Sequence, residues 1–244
     1  MTAVGPRRPV ILALDSAGSG CSVAVAAGDA VLSADRAAGL HGQAETLFPM
    51  VDRAMRQAGL SPATLDIVAV TVGPGSFTGI RAGLAAARGI ALATGARLAG
   101  VTSFAAVAAG LGQTEGPKAS VLLVALESRR EDLYVQLFDC FCGPVGAPAA
   151  VMPVALGGVV DAAIGSAPLL LAGDAAHRAA LVLSGRPGTT IVENTVPEAV
   201  GALRAATRRL PQLGAPGDTA RPLYLRPPDV TLSAGHPKPI LGRA

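Results

Sequence analysis

A glycine-rich turn is the segment of this sequence best suited to hold a charged ligand. The run Gly73-Pro74-Gly75-Ser76-Phe77-Thr78-Gly79 joins an apolar stretch to a long Ala-rich stretch. Glycines let the backbone adopt positive φ, and N–H groups at a helix N-terminus can hold a phosphate. The run lacks the Gly-Lys-Ser/Thr ending of a P-loop, and its glycine spacing is one residue longer than the dinucleotide fingerprint. Two interpretations stay open, a phosphate contact or a tight turn between strand and helix.

Two acids stand where a metal or a reacting group could be positioned. Asp15 and Glu127 each end an apolar run and precede a serine, Ser16 and Ser128, and in both places the next β-rich run begins six residues after the acid. This repetition predicts two related lobes whose hairpins flank a cleft, the architecture of the actin-like ATPases. Acids at strand ends also simply bond turn amides, and for Asp15 we favour that role.

The composition excludes several classes of protein. The 244 residues are 50% hydrophobic but only 3% aromatic, and the net charge is +3. Arg204, Arg208 and Arg209 share one predicted helix, which is typical of a solvated face rather than a nucleic-acid footprint. Cys140 and Cys142 lack the spacing of a zinc or redox pair, which favours a reducing compartment. No apolar run is long enough for a membrane span and no signal-peptide cleavage site follows the N-terminus, so we expect a soluble, cytoplasmic protein.

Hydrophobic periodicity predicts an α/β protein. Residues 43–58 and 78–94 show helical spacing, and the order β-β-β-α-β-α-β-α predicts an antiparallel meander on a parallel core. The pattern restarts after a Gly/Pro-containing break. We therefore divide the chain into an N-terminal lobe at 1–112, a smaller C-terminal lobe at 113–225, and a Pro-rich tail at 226–244 that we expect to be extended or disordered.

Five segments carry a resemblance that covers most of the first lobe and the end of the second. In order they read ILALDSAGSGCSVAV, LHGQAETLFPMVDRAM, VGPGSFTGIRAGLAAARGIA, GVTSFAAVA and ARPLYLRPPDVT. Together with the hairpin at Glu127 they resemble the bacterial TsaB (YeaZ) family, subunits of the machinery that makes threonylcarbamoyladenosine at position 37 of tRNA. The resemblance is looser from 140 to 216.

The resemblance implies a non-catalytic subunit with an actin-like (ribonuclease-H-like) fold. Members form homodimers and bind the catalytic paralogue TsaD through the N-terminal lobe, and a TsaE-like ATPase joins the assembly. TsaD transfers threonylcarbamoyl to N6 of adenosine in the tRNA. The implied chain has no cofactor of its own, although ATP or ADP can bind at an interface of the complex. Remnant phosphate contacts are then expected at Asp15, Ser16, Gly73, Gly75, Ser76 and Glu127.

The histidines support a loss of the metal site. The catalytic paralogue holds its metal with a His-x-x-x-His pair on a helix, because imidazoles at i and i+4 face one ion. Here the histidines are His41, His177 and His236, and no two have that spacing. Glu45 stands four residues after His41, a pair that could bind metal only weakly. We favour a capping or surface role for His41 and expect no metal site.

Two helices are where the family builds its dimer and its TsaD contact. The resemblance assigns the partner interface to Leu47, Phe48, Val51, Met55, Gly79, Gly83 and Ala87. The alternative is that the lobe's own sheet buries this apolar stripe. A second function also stays open, a stand-alone actin-like ATP-dependent phosphotransferase that uses Asp15, Glu127 and the glycine turn. Relatives have also been labelled glycoproteases. We can name no nucleophile and base for such an activity here, since Ser76 has no histidine near it in sequence.

Overall fold

Two five-stranded mixed sheets form the framework of the protein. The computed structural model describes residues 8–39, 43–111, 120–140, 142–210 and 220–226. The first sheet has the order β3-β2-β1-β4-β5, in which β1, β2 and β3 are antiparallel and β1, β4 and β5 are parallel. Its strands are β1 (Val10–Asp15), β2 (Gly20–Ala27), β3 (Ala30–Ala38), β4 (Ile67–Thr71) and β5 (Arg97–Val101). The helices that follow in this half are α1 (Gln43–Gln57), α2 (Phe77–Thr94) and α3 (Ser103–Gly110).

The second sheet repeats the first. Its order is β10-β9-β6-β7-β8, again with an antiparallel meander beside a parallel part. The strands are β6 (Val121–Glu127), β7 (Leu133–Phe138), β8 (Pro144–Val151), β9 (Leu169–Ala172) and β10 (Thr189–Ile191). The helices are α4 (Pro153–Ile164), α5 (Ala176–Val182) and α6 (Ala199–Arg208). The predicted α/β class with two related lobes and mixed sheets is confirmed.

Local sequence explains the elements of the first lobe. β1 and β4 are buried along their whole length, which matches their unbroken apolar sequences. α2 begins after Ser76, whose Oγ accepts the Gly79 N–H at 3.2 Å, and ends at Gly95 in the left-handed conformation. Within the described ranges, no helix is both long and apolar enough to cross a bilayer.

α6 lies on the first sheet, although the sequence places it in the range predicted for the second lobe. Its alanines and Leu203 pack against β1, β4 and α3. The backbones of α6 and α3 lie close together at Gly201, where an added Cβ would lie 2.0 Å from the carbonyl oxygen of Ala106. Residues 220–223 also return to the first lobe, where the Leu223 N–H donates to the Val72 oxygen at 2.7 Å. Part of the predicted range 113–225 therefore packs on the first sheet, where α6 covers the face opposite α1 and α2.

α3 joins the two sheets. One side of this helix, with Ala106 and Ala109, belongs to the core beneath α6. The other side, with Phe104, Val107 and Ala108, packs against strands of the second sheet. Because both sides are apolar, the lobes share a continuous hydrophobic contact. The predicted tail is described only at Arg226, and its remainder, with His236, lies outside the described residues.

Candidate functional site

The glycine turn after β4 is closed on the protein's own backbone. The Ser76 N–H donates to the Ala17 carbonyl oxygen at 2.7 Å. A Cβ on Gly75 would lie 2.2 Å from that same oxygen, so only glycine leaves room for it. Gly73 has φ +101, and its carbonyl accepts the Ser103 N–H at 2.8 Å. The turn therefore already holds an oxygen of the chain where an anion nest would hold a phosphate oxygen.

The glycine face of α2 is filled from the neighbouring hairpin. Ser16 Oγ donates to the Gly79 carbonyl oxygen at 2.8 Å, and both partners are buried. A Cβ on Gly83 would lie 2.4 Å from Ser16 Oγ. Ala87 is fully buried in the core of the same lobe. Ser16 of the first hairpin therefore lies against the face of α2 that carries Gly79 and Gly83.

Asp15 is a buried acid at the end of β1. Its Oδ1 accepts from Thr71 Oγ1 at 2.6 Å and from the Ala17 N–H at 3.4 Å. Burial raises the pKa of Asp15 to about 6, and these hydrogen bonds offset part of that rise. The carboxyl group therefore ties β1 to β4 and to the turn, the role that the sequence favoured.

The second lobe places a different acid at the corresponding point. Asp174 follows β9, the parallel neighbour of β6, and its Oδ1 accepts the Glu127 N–H at 2.9 Å. Burial raises the pKa of Asp174. The Glu127 carboxylate instead pairs with Arg178, which also donates to the carbonyls of Arg130 and Glu131 at 3.2 and 3.0 Å. Sequence reasoning missed Asp174, although Gly-Asp directly after an apolar run was the available signal.

A small cavity lies between the first hairpin and the segments that follow β9 and precede α6. Its volume is about 70 Å³, and it is lined by Asp15, residues 18–22, Arg36, Ala38, Asp174 and residues 196–198. Sites for drug-sized ligands and cofactors commonly measure ~300 to 1,000 Å³. Glu198 and Arg36 pair at 2.6 Å at this cavity. Of the predicted phosphate contacts only Asp15 lines it, while Ser16, Gly75 and Ser76 are used by the closed turn. A polyphosphate here would meet three carboxyl groups and one guanidinium group.

The predicted partner residues divide between core and surface. Leu47 and Met55 are buried in the core of the first lobe, and Val51 is partly buried against it. Phe48 is 54% exposed on α1. A contact with another chain can therefore use Phe48 directly, while Leu47 and Met55 stabilise the helix that carries it.

His177 is the one histidine among the described residues. His177 lies on α5, where its Nε2 is 3.0 Å from an oxygen of Glu193. His41 lies outside the described residues. Across the described ranges, no three His, Cys, Asp or Glu residues are grouped so that they could hold a metal ion.

Comparison with known proteins assigns the chain to a family. A family model described as TsaD, tRNA N6-adenosine threonylcarbamoyltransferase, matches residues 21–143. The tRNA threonylcarbamoyladenosine biosynthesis protein TsaB of Escherichia coli is 32% identical over 124 residues, which are 51% of this chain and 52% of that protein. An uncharacterized protein of Mycobacterium bovis is 34% identical over 192 residues, 78% of this chain and 77% of that protein. The chain belongs to the TsaB (YeaZ) family.

A solved structure of the TsaB (YeaZ) family has the same fold. YeaZ from Pseudomonas aeruginosa superposes with a TM-score of 0.76 at 24% identity, over 89% of this chain and all of that one. The predicted α/β fold with two related lobes is therefore shared with this solved structure. The alignment with the Escherichia coli TsaB spans about half of that protein's length.

Proposed function

We propose that this chain is a non-catalytic subunit of the complex that transfers threonylcarbamoyl to N6 of adenosine 37 in tRNA. It binds and stabilises a TsaD-like catalytic subunit through the first lobe. Support comes from the TsaB (YeaZ) family membership and from the name of the Escherichia coli relative, a threonylcarbamoyladenosine biosynthesis protein. A TsaE-like ATPase, a second copy of the chain, and ATP or ADP at an interface belong to the same proposal.

The observation that carries the proposal is the closed turn between Ala17 and Ser76. The phosphate contact that the sequence left open at this turn needs free backbone donors, whereas the Ser76 N–H donates to the Ala17 oxygen. The cavity beside Asp15 is also much smaller than a nucleotide. These features support a subunit that acts by contact with a catalytic relative.

The decisive test is reconstitution with the TsaD-like subunit of the same organism. We expect the two chains to co-purify, and we expect modification of a tRNA transcript to require both. Titration of the isolated chain with Mg-ATP tests the phosphotransferase alternative. If the isolated chain binds Mg-ATP in the micromolar range and transfers phosphate, the non-catalytic role is wrong and the protein is a phosphotransferase.

Phe48 offers a sharper test of the contact surface. Because Phe48 is exposed on α1, Phe48→Asp leaves the core intact but introduces a charge where an apolar contact is proposed. We expect the affinity for the TsaD-like subunit to fall about tenfold or more. Leu181→Asp is the matched control, since Leu181 is 78% exposed on α5 of the second lobe. Equal affinities of the two variants would remove α1 from the interface.

A further inference from the structure

Two arginines lie at the β5 edge of the first sheet, and each donates to a backbone carbonyl oxygen. β5 is the last strand of this sheet. On one side Arg209, directly after α6, donates to the Gly100 carbonyl oxygen at 3.2 Å. On the other side Arg88 of α2 donates to the Ala220 carbonyl oxygen at 2.8 Å. Ala220 itself packs on β5, since a Cβ on Gly100 would lie 3.1 Å from the Ala220 Cβ. Both guanidinium groups are therefore anchored around one strand residue.

Two further arginines belong to the same edge. Arg221 is exposed and follows Ala220 directly. Arg97 begins β5 on the α6 side, because side chains alternate along a strand and Ala99 lies in the core beneath α6. We call Arg88, Arg97, Arg209 and Arg221 the β5-edge patch.

No arginine of the β5-edge patch takes part in an ion pair between described residues. The acid beside β5 in register is Asp66, whose backbone oxygen accepts the Arg97 N–H at 2.9 Å. The Asp66 carboxylate accepts the Val10 N–H at 2.7 Å. The full chain has a net charge of +3, and these four arginines outside the ion pairs concentrate positive charge at one edge.

We infer that the β5-edge patch binds the phosphate backbone of an RNA. A guanidinium group has five N–H donors, so a bond to one carbonyl fixes Arg88 or Arg209 and leaves donors for phosphate oxygens. Arginine is well suited to phosphate because of this planar set of donors. The inference rests on the proposed function, in which a tRNA lies beside this chain. Phosphate contacts position an RNA without reading its bases, so the binding is insensitive to sequence.

Charge reversal at the patch tests the inference with the full-length chain. We would measure binding of a fluorescent tRNA transcript at about 50 mM and about 200 mM salt. The test variant is Arg209→Glu with Arg221→Glu, and Arg209→Gln removes the charge but keeps a polar side chain with N–H donors. Arg56→Glu is the control for a change in net charge, because Arg56 is 79% exposed on α1 and pairs with Asp52. Thermal unfolding checks that each variant is folded.

We expect each lost phosphate contact to weaken RNA binding by about tenfold at low salt and to reduce the slope of log K against log salt by about 0.7 to 0.9. Arg56→Glu should leave both nearly unchanged. No RNA binding by the wild type at the lower salt, or equal effects of Arg209→Gln and Arg56→Glu, would overturn the inference. If the double variant binds RNA normally but loses the TsaD-like subunit, the patch is a protein contact and the RNA inference is wrong. Co-purification with the TsaD-like subunit is a separate measurement, so the proposed function can hold even if the RNA inference is wrong.

Discussion

At the level of single residues, Asp15 shows how a position typical of catalysis can serve structure. Its Oδ1 is already engaged by Thr71 and by the Ala17 N–H, so the carboxyl group joins two strands and a turn. Burial, and not a catalytic partner, is the main cause of its raised pKa. A perturbed pKa in a cleft is therefore compatible with a purely structural acid.

The raised pKa of Asp15 makes stability depend on pH in a definite direction. Because the folded pKa of about 6 exceeds the ordinary 3.8, the folded chain keeps the proton in this window while the unfolded chain releases it. The contribution is complete below the ordinary value and is lost as pH rises through 6. Relative to Asp15→Asn, wild type should lose on the order of 3 kcal/mol of unfolding free energy between about pH 4 and pH 7.

Urea denaturation of both proteins at the two pH values measures this difference. Asp15→Asn keeps an oxygen that can accept from Thr71, so it serves as the uncharged reference. Asp174 also has a raised pKa but is common to both proteins, and its effect cancels. A wild type that gains stability over Asp15→Asn as pH rises would contradict the assigned cause.

At the level of elements, the turns after β4 and β9 each contain a glycine that lies against a backbone carbonyl oxygen. In the first lobe Gly75 lies against the Ala17 oxygen, and in the second Gly173 lies against the Ala125 oxygen. Both glycines let the turn that follows a parallel strand approach the end of the first strand of its sheet. The two turns therefore share a structural reason for glycine, independent of any ligand.

A pair of glycine substitutions tests this reason. Gly173 has φ +104, and a Cβ there would lie 2.1 Å from the Ala125 oxygen, so Gly173→Ala should destabilise the protein by about 2 kcal/mol or more. Gly89 lies within α2 and has no neighbour within 4 Å of an added Cβ. Gly89→Ala should therefore stabilise by about 1 kcal/mol. Chemical denaturation measures both, and opposite signs are required.

The sequence predicted the elements that depend on local pattern. Each of these elements has its own periodicity or cap, such as Ser76 before α2. They are the three-stranded meander, which includes the strand after Asp15, and the helices α1 and α2. The position of α6 on the first sheet could not, because its alanines fit any close-packed surface. Asp174 was missed for a similar reason, since only the pairing of β9 with β6 brings it to Glu127.

The predicted partner stripe shows the same limit for the site. The 3.6-residue period identified the apolar face of α1 but could not divide it between core and surface. Leu47 and Phe48 are neighbours in sequence, yet one is buried and the other is 54% exposed. That division depends on where β2 and β3 lie beneath the helix.

At the level of the whole molecule, the two lobes should unfold together. Phe104 of α3 is fully buried in the core shared with the second sheet, whereas Phe48 is exposed. Phe104→Ala should cost about 3 to 5 kcal/mol and lower the midpoint of one calorimetric transition. Phe48→Ala should leave that transition nearly unchanged. Two separate transitions, with only one displaced by Phe104→Ala, would show that the lobes unfold independently.

The apolar contact through α3 has a mechanical consequence. Separation of the lobes would expose Phe104 and its neighbours to water, and this cost opposes any movement of one lobe away from the other. A displacement of α1 by a bound partner should consequently move both lobes together, without bending between them. The protein can therefore act as a rigid body that fixes the position and orientation of partners bound to its two lobes.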